Sequence, residues 1–472
     1  MVCTTQTAHA AQGAALDDPV LLLSIDGLGY DRLLASRARL PNLRRLLQRG
    51  AAGPLRTVFP SLTWPAHASL LSGREPAKTG VIGNRWFDRA SMKVVQAWQL
   101  DRREALRGDT LLEAAHRAGW TSAVVLWPLT SRLAAAAWVL PEVYGERAMR
   151  KAATPGFVDE LQAAGFPTDR LDRLTHEEAF ELDSFSRDVA TMLIERHRPR
   201  LLLLHLLSYD TMAHRYGPDA RPATWALELC DRYLGDVLAA YHEAGLSARL
   251  HVVVVSDHGF AAVHDGLSSK FVVQDAALSR KESAQLELVH NGHTLWVYDR
   301  SPKRDAHKAM KKLLERLQRD ERVEQIWGPE TIAQLGLGDP RSEARAPDAV
   351  VLVRPEVMLW NPKRRARERK PTWRGMHGTR PERPEMHGVF VAAGPRFAHR
   401  RRLDSMRVID VAPTLAAAFG LQLEGPVDGQ ARRDALRRAT TTASPTKAST
   451  PAPARSGSES ATMPSTTPAN SK

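Results

Sequence analysis

The chain has 472 residues, 43% hydrophobic and 25% charged, which excludes a wholly disordered chain, a collagen and a coiled-coil rod. Its two cysteines, Cys3 and Cys230, form no Cys-x-x-Cys pair, so a disulfide framework and a thiolate zinc finger are also excluded. Lys and Arg outnumber Asp and Glu 66 to 53, and the resulting +13 favours anionic partners. Residues 1–17 read as a flexible start with neither a basic n-region nor an apolar h-region. The expected location is therefore the cytoplasm; a misassigned start site would make the protein periplasmic or secreted. No apolar run reaches the roughly 18 residues that span a bilayer, so no membrane partner is expected.

The ordered body is expected over 18–438. Val20–Ile25 is an apolar run that ends at Asp26. A helix carrying Leu40, Leu43, Leu46 and Leu47 follows and stops at Gly50. Thr110–Ala118 reads as a helix and Ser122–Trp127 as a strand. Phe185–Arg196 is helical, and Arg200–Leu207 is a continuous apolar strand. Thr224–Ala244 is helical and His251–Ser256 is another buried strand. Continuous apolar strands separated by helices predict an α/β fold with a mostly parallel sheet covered on both faces.

Residues 282–361 break this alternation. They read as a small α+β insertion with a strand over Leu286–Tyr298, a helix over Arg304–Arg319 and a strand over Asp348–Val353. The basic stretch 362–371 reads as a solvated loop, or as a gate that attracts anions. From Ala439 to Lys472 the chain is almost entirely Ser, Thr, Ala and Pro, which cannot bury enough apolar surface to offset chain entropy. This segment is expected to be a disordered tail.

The chemistry-bearing residues repeatedly follow apolar strands. Asp26 ends the first strand, Asp210 and His214 follow the Leu201–Leu207 run, and Asp257 and His258 end the His251–Ser256 strand. Ligands of open α/β sheets bind outside the carboxyl ends of the strands. Asp210 and His214 are four apart, so on one helical turn both point the same way. Asp257-His258-Gly259 places an oxygen and a nitrogen on one turn, with a glycine that permits close approach. Carboxylate plus imidazole suits Zn²⁺, with Mn²⁺ as the alternative. Thr63, in Phe-Pro-Ser-Leu-Thr-Trp-Pro-Ala-His, lies at or beside a helix start. It is either a helix cap or a nucleophile stabilised by a helix N-terminus and a metal ion. His67 and His205 read as satisfied core histidines and His116 as a surface one. His264 and Asp265 are possible supporting groups just past the metal motif.

Four ordered motifs now stand together: Ser-Ile-Asp26-Gly, the Thr63 segment, Ser-Tyr-Asp210-Thr-Met-Ala-His214 and Val-Ser-Asp257-His258-Gly. Over most of 18–425 they resemble the nucleotide pyrophosphatase/phosphodiesterase branch of the alkaline phosphatase superfamily. The resemblance implies an alkaline-phosphatase-like fold and two divalent metal ions. Asp26, Thr63, Asp257 and His258 would surround one ion, and Asp210, His214 and a late histidine the other. It further implies that Asn84 donates a hydrogen bond to a phosphoryl oxygen, although Gly83-Asn84 is also good turn chemistry. For the late ligand, His377 is favoured over His387. It lies in a glycine-flanked loop, whereas His387 enters a strand at what would be the far end of a parallel sheet. Met386 also aligns with the family's methionine when His377 is the ligand. Two departures, Ala66 and the Thr-Arg-Pro after Gly378, leave leaving-group specificity open.

The implied activity is hydrolysis of phosphodiester or pyrophosphate bonds in small, anionic, nucleotide-like substrates through a phosphothreonine. A phosphomonoesterase or phosphonate hydrolase with the same metal core is the alternative. Outside enzymes, the charge suggests a nucleic-acid-binding protein. Aromatics at 6% and the lack of any base-stacking motif argue against a specific nucleic-acid partner. A metal-binding pseudoenzyme is disfavoured by the complete ligand set.

Overall fold

The computed structural model describes residues 18–144, 148–171, 175–300, 307–360 and 372–437. The expected flexible start, basic loop and disordered tail lie outside these residues. Val20–Ile25, Ser122–Val125, Leu201–Leu206 and His251–Val255 are fully buried strands of a nine-stranded sheet. Across the sheet the order is Arg401–Arg402, Ala51–Arg56, Gly388–Ala393, His251–Val255, Val20–Ile25, Leu201–Leu206, Ser122–Val125 and Trp138–Leu140, with Met406–Arg407 also beside Ala51–Arg56. Every pairing is parallel except the two made by Gly388–Ala393, which runs antiparallel to both neighbours.

Alternate residues of each central strand serve opposite faces, as the pleat requires. Leu21, Leu23 and Ile25 join one core with Leu202, Leu204, Val252 and Val254. Val20 and Leu22 join the other with Leu201, Leu203, Val253 and Val255. Helices Ala179–Arg196 and Arg221–Glu243 cover the first face, while Thr63–Ser72, Leu111–Arg117 and Val411–Phe419 cover the second. Burial on both faces explains why these strands read as unbroken apolar runs rather than alternating ones.

Residues 286–353 form a separate four-stranded antiparallel sheet. The single strand expected over Leu286–Tyr298 is a hairpin of Leu286–Asn291 and Thr294–Asp299. The polar Asn291-Gly292-His293 interrupts the apolar pattern, and Gly292, at φ +62°, sits in the turn, a break that the single-strand reading passed over. The expected Arg304–Arg319 helix is described as His307–Gln318, and the strand Val323–Trp327 was not anticipated. One face packs Leu313 and Leu317 of that helix on Leu295, Val297 and Val351. The other packs Trp296, Tyr298 and Val350 with Phe59, Trp64 and Trp86, bringing this sheet against the Thr63 segment. Among the described residues, no helix is long and apolar enough to cross a membrane.

Candidate metal and phosphoester site

The carboxyl ends of the parallel strands and the loops beside them build one buried site. Asp26 follows its strand directly. Asp257 and His258 follow Val255, and the Ser208–Tyr216 helix carries Asp210 and His214 on one face. The six residues form two groups whose potential ligand atoms lie within 4.8 Å of one another. One contains Asp26, Asp257 and His258, and the other Asp210, His214 and His377. The His258 and His377 rings stack with centroids 3.6 Å apart, so the groups share a wall.

In the first group, His258 Nε2 lies 3.1 Å from Asp257 Oδ2 and 3.4 Å from Asp26 Oδ1. In the second, His377 Nε2 lies 3.1 Å from His214 Nε2, and His214 Nε2 lies 3.5 Å from Asp210 Oδ2. Each imidazole is oriented by a backbone carbonyl. Nδ1 of His214 donates to Gly375 O at 2.9 Å, that of His377 to Ser61 O at 2.8 Å, and that of His258 to Gly259 O at 3.1 Å. A carbonyl only accepts, so these contacts assign the proton to Nδ1 and leave each Nε2 lone pair facing the carboxylates.

This donor set fits divalent cations. Buried oxygens Asp26 Oδ1, Asp210 Oδ1 and Asp257 Oδ2 have no hydrogen-bond partner. Burial, then the Asp26 charge, pushes the Asp257 carboxyl up to about 7, a repulsion that a bound cation relieves. Burial, with His258 and His214 alongside, holds the His377 imidazole well below its ordinary value, in the neutral form a metal ligand needs. Two glycines permit the packing. Gly27, at φ +73°, donates its N–H to Asp257 Oδ1 at 3.1 Å. A Cβ on Gly259 would fall 2.1 Å from the Glu385 carbonyl oxygen.

Thr63 is the first residue of its helix. Leu62 occupies the N-cap and no side chain caps it, so the helix-cap reading does not describe this position. Thr63 Oγ1 instead lies 3.3 Å from His258 Nε2. Asn84 sits at the same helix start, where its Oδ1 accepts from Trp64 N–H at 3.2 Å. That contact leaves the amide NH₂ as the donor.

His387 differs from expectation, since in a wholly parallel sheet its strand would start far from the site. The strand is antiparallel, so His387 enters at the site edge, where its backbone carbonyl accepts from Tyr30 N–H at 3.0 Å. Its ring is nonetheless absent from both groups, and its charged neighbours are Arg56, Asp31 and Glu385. His67 and His205 are buried in the core, but they also adjoin the site. His205 Nε2 is 3.3 Å from Asp26 Oδ2, and His67 Nδ1 donates to Thr63 O at 2.9 Å. His116, His264 and Asp265 are exposed, and the last two are not among the groups around the carboxylates.

Two contributors were missed. Glu142, 2% exposed, accepts from Tyr144 Oη at 2.6 Å and from His205 Nδ1 at 3.0 Å. His176 Nε2 lies 3.3 Å from Asp210 Oδ2. Glu142 follows the short edge strand Trp138–Leu140 and His176 opens the 3-10 turn His176–Glu178, two elements that the sequence reading did not identify. Glu142→Ala is expected to destabilise the fold by about 1–3 kcal/mol, because the part-buried Tyr144 hydroxyl loses its acceptor and His205 Nδ1 keeps only the Leu126 carbonyl, at 3.2 Å. An unchanged urea midpoint would contradict this.

The family described as type I phosphodiesterase / nucleotide pyrophosphatase matches residues 20–380. Mouse ectonucleotide pyrophosphatase/phosphodiesterase family member 1 is 23% identical over 417 residues, covering 85% of this chain and 41% of the mouse protein. A fission-yeast (Schizosaccharomyces pombe) protein called an uncharacterized pyrophosphatase/phosphodiesterase is 24% identical, covering 52% of this chain and 45% of its own. The chain thus spans less than half the length of these curated relatives. Human ectonucleotide pyrophosphatase/phosphodiesterase 5 shares the fold at a TM-score of 0.67 and 19% identity, covering 89% of this chain and all of that one. An inactive threonine-to-alanine form of its murine counterpart, solved in complex with AMP, also matches at 0.67, with 17% identity and the same coverage. With the family match extending over most of the ordered body, the chain belongs to the type I phosphodiesterase / nucleotide pyrophosphatase family.

Proposed function

We propose that the protein hydrolyses phosphodiester or pyrophosphate bonds of small nucleotide-like substrates, with Thr63 as nucleophile. The observation that carries this reading is the Thr63 hydroxyl, 3.3 Å from His258 Nε2 at the start of a buried helix, beside two adjoining carboxylate–imidazole groups. Asp26, Thr63, Asp257 and His258 would hold one divalent cation, and Asp210, His214 and His377 a second; Zn²⁺ suits these donors and Mn²⁺ is the alternative. Bound there, the cations supply positive charge that lowers the pKa of the Thr63 hydroxyl and offsets charge on the phosphoryl oxygens.

Thr63 Oγ1 gives up its proton to solvent and forms a bond to phosphorus as the bond to the leaving oxygen opposite it breaks. The departing group takes a proton from water. A water molecule then cleaves the phosphothreonine ester and restores the hydroxyl. The Asn84 amide NH₂, oriented by the Trp64 contact, donates to an equatorial phosphoryl oxygen, which places a dipole where charge develops. AMP in the murine structural neighbour supports a nucleotide-sized ligand, and the inactivity of that threonine variant supports a threonine nucleophile.

Diesters are expected to be preferred over monoesters. A monoester brings one more negative charge, and among the described residues no Lys or Arg side chain pairs with Asp26, Thr63, Asn84, Asp210 or Asp257. Arg85, the nearest cation in sequence, lies over the Trp98 ring at 5.1 Å. The test is turnover of bis(4-nitrophenyl) phosphate and 4-nitrophenyl phosphate by purified protein, chelated and then reloaded with Zn²⁺ or Mn²⁺. The diester kcat/KM should exceed the monoester value at least tenfold, and chelation should remove both activities. Turnover of neither substrate by the loaded protein would sink the proposal.

A further inference from the structure

At the opposite edge of the sheet, where the parallel strands begin, lies a cleft of about 1210 Å³. Beside the end of the Arg221–Glu243 helix and the start of His251–Val255, three further segments meet there. They are the end of the Pro41–Arg49 helix, the turn after Gly388–Ala393, and the chain at Arg437. Backbone hydrogen bonds fasten them: Arg400 N–H to Arg49 O at 3.2 Å, and Arg437 N–H to Arg396 O at 2.9 Å. The floor is apolar, with Leu46, Leu238, Leu250 and Phe397. Around it stand Arg45, Arg49, Arg400 and Arg437, together with His242 and His399, and among the described residues none that lines it is a carboxylate.

None of these four guanidiniums makes a side-chain hydrogen bond or ion pair among the described residues, whereas neighbouring Arg396 and Arg401 pair with Asp18 and Asp434. A cation on the last turn of a helix is favoured by the helix dipole, which accounts for Arg49 alone. Arg400 stands in the left-handed region at φ +51°, a conformation uncommon outside glycine. Such strain persists only where the surroundings impose it, and it clusters at binding sites. Guanidinium is always charged and its planar fork matches phosphate oxygens.

We propose that this cleft binds a phosphate ester that carries an apolar group. The arginines take the phosphate and the leucine–phenylalanine floor takes the apolar part. A lipid phosphate at a bilayer surface and a soluble alkyl phosphate present the same chemistry. The site is separate from the Thr63 centre, so its test does not depend on turnover.

Full-length protein should be titrated calorimetrically with hexyl phosphate and with inorganic phosphate, and floated with vesicles of phosphatidylcholine alone or with phosphatidylglycerol. Hexyl phosphate should bind at least tenfold tighter than inorganic phosphate. The Arg45→Gln/Arg49→Gln/Arg400→Gln variant should lose at least tenfold of that affinity and keep diester turnover. A single Arg400→Gln variant covers failure of the triple to fold and should lose severalfold. Flotation only with phosphatidylglycerol, abolished in the variant, would assign the lipid source. Hexyl phosphate binding without flotation would assign the soluble one. Affinity unchanged in both variants, or hexyl phosphate no tighter than inorganic phosphate, would overturn the proposal.

Discussion

Thr63→Ala is expected to reduce diester turnover by at least about four orders of magnitude while leaving the fold and both cation groups in place. The change removes the hydroxyl that lies 3.3 Å from His258 Nε2. It does not touch Asp26, Asp257 or His258, whose ligand atoms remain within reach of one ion. Nor should it unravel the helix, because Thr63 makes no capping bond and every helix residue is buried. An alanine methyl fits where the threonine side chain was, so the expected cost in stability is about 1 kcal/mol or less. Losing a nucleophile costs far more than losing an orienting group, because no other residue forms the covalent intermediate. The decisive measurements are metal content and a urea midpoint beside kcat. Near-native activity in a folded, metal-loaded variant would remove the covalent mechanism.

His377→Ala is expected to lose one ion and at least two to three orders of magnitude in kcat. The Asp210–His214–His377 group would keep one carboxylate and one imidazole, too few to fill the four-coordinate shell a structural or catalytic zinc takes. The first group would stay intact, so the stoichiometry should fall from two ions to one rather than to none. His387→Ala should retain both ions and most activity, because its ring belongs to neither candidate ion group. Metal analysis of the two variants decides between them. An ion lost from the His387 variant, with the His377 variant fully loaded, would reverse the assignment.

Residues 20–25, 201–206 and 251–255 could be read from sequence because strands buried on both faces leave an uninterrupted apolar record. The acids placed just beyond them could be read for the same reason. The direction of Gly388–Ala393 could not, since a strand's composition is the same whichever way it runs. Strand direction therefore does not separate His377 from His387; His377 lies with Asp210 and His214, and His387 does not. The hairpin at 286–299 was legible in Asn291-Gly292, turn chemistry between two apolar runs, but those runs were read as one strand. Glu142 and His176 were hidden for a different reason. Their contacts with His205 and Asp210 are made across the fold, and nothing in their own neighbours in sequence announces a partner.

The lone antiparallel strand also bears on how the chain becomes competent as it emerges from the ribosome. Ala51–Arg56, which leads into Thr63, touches no long strand of the sheet except Gly388–Ala393. Neighbouring strands stand about 4.8 Å apart, so without that bridge a gap of nearly 10 Å separates it from His251–Val255. A nascent chain of some 380 residues has therefore already made every proposed ligand while its nucleophile segment still lacks a hydrogen-bonded anchor to the rest of the sheet. The proposed hydrolytic activity would then arrive late in synthesis, when residues 388–393 slot between two strands made long before.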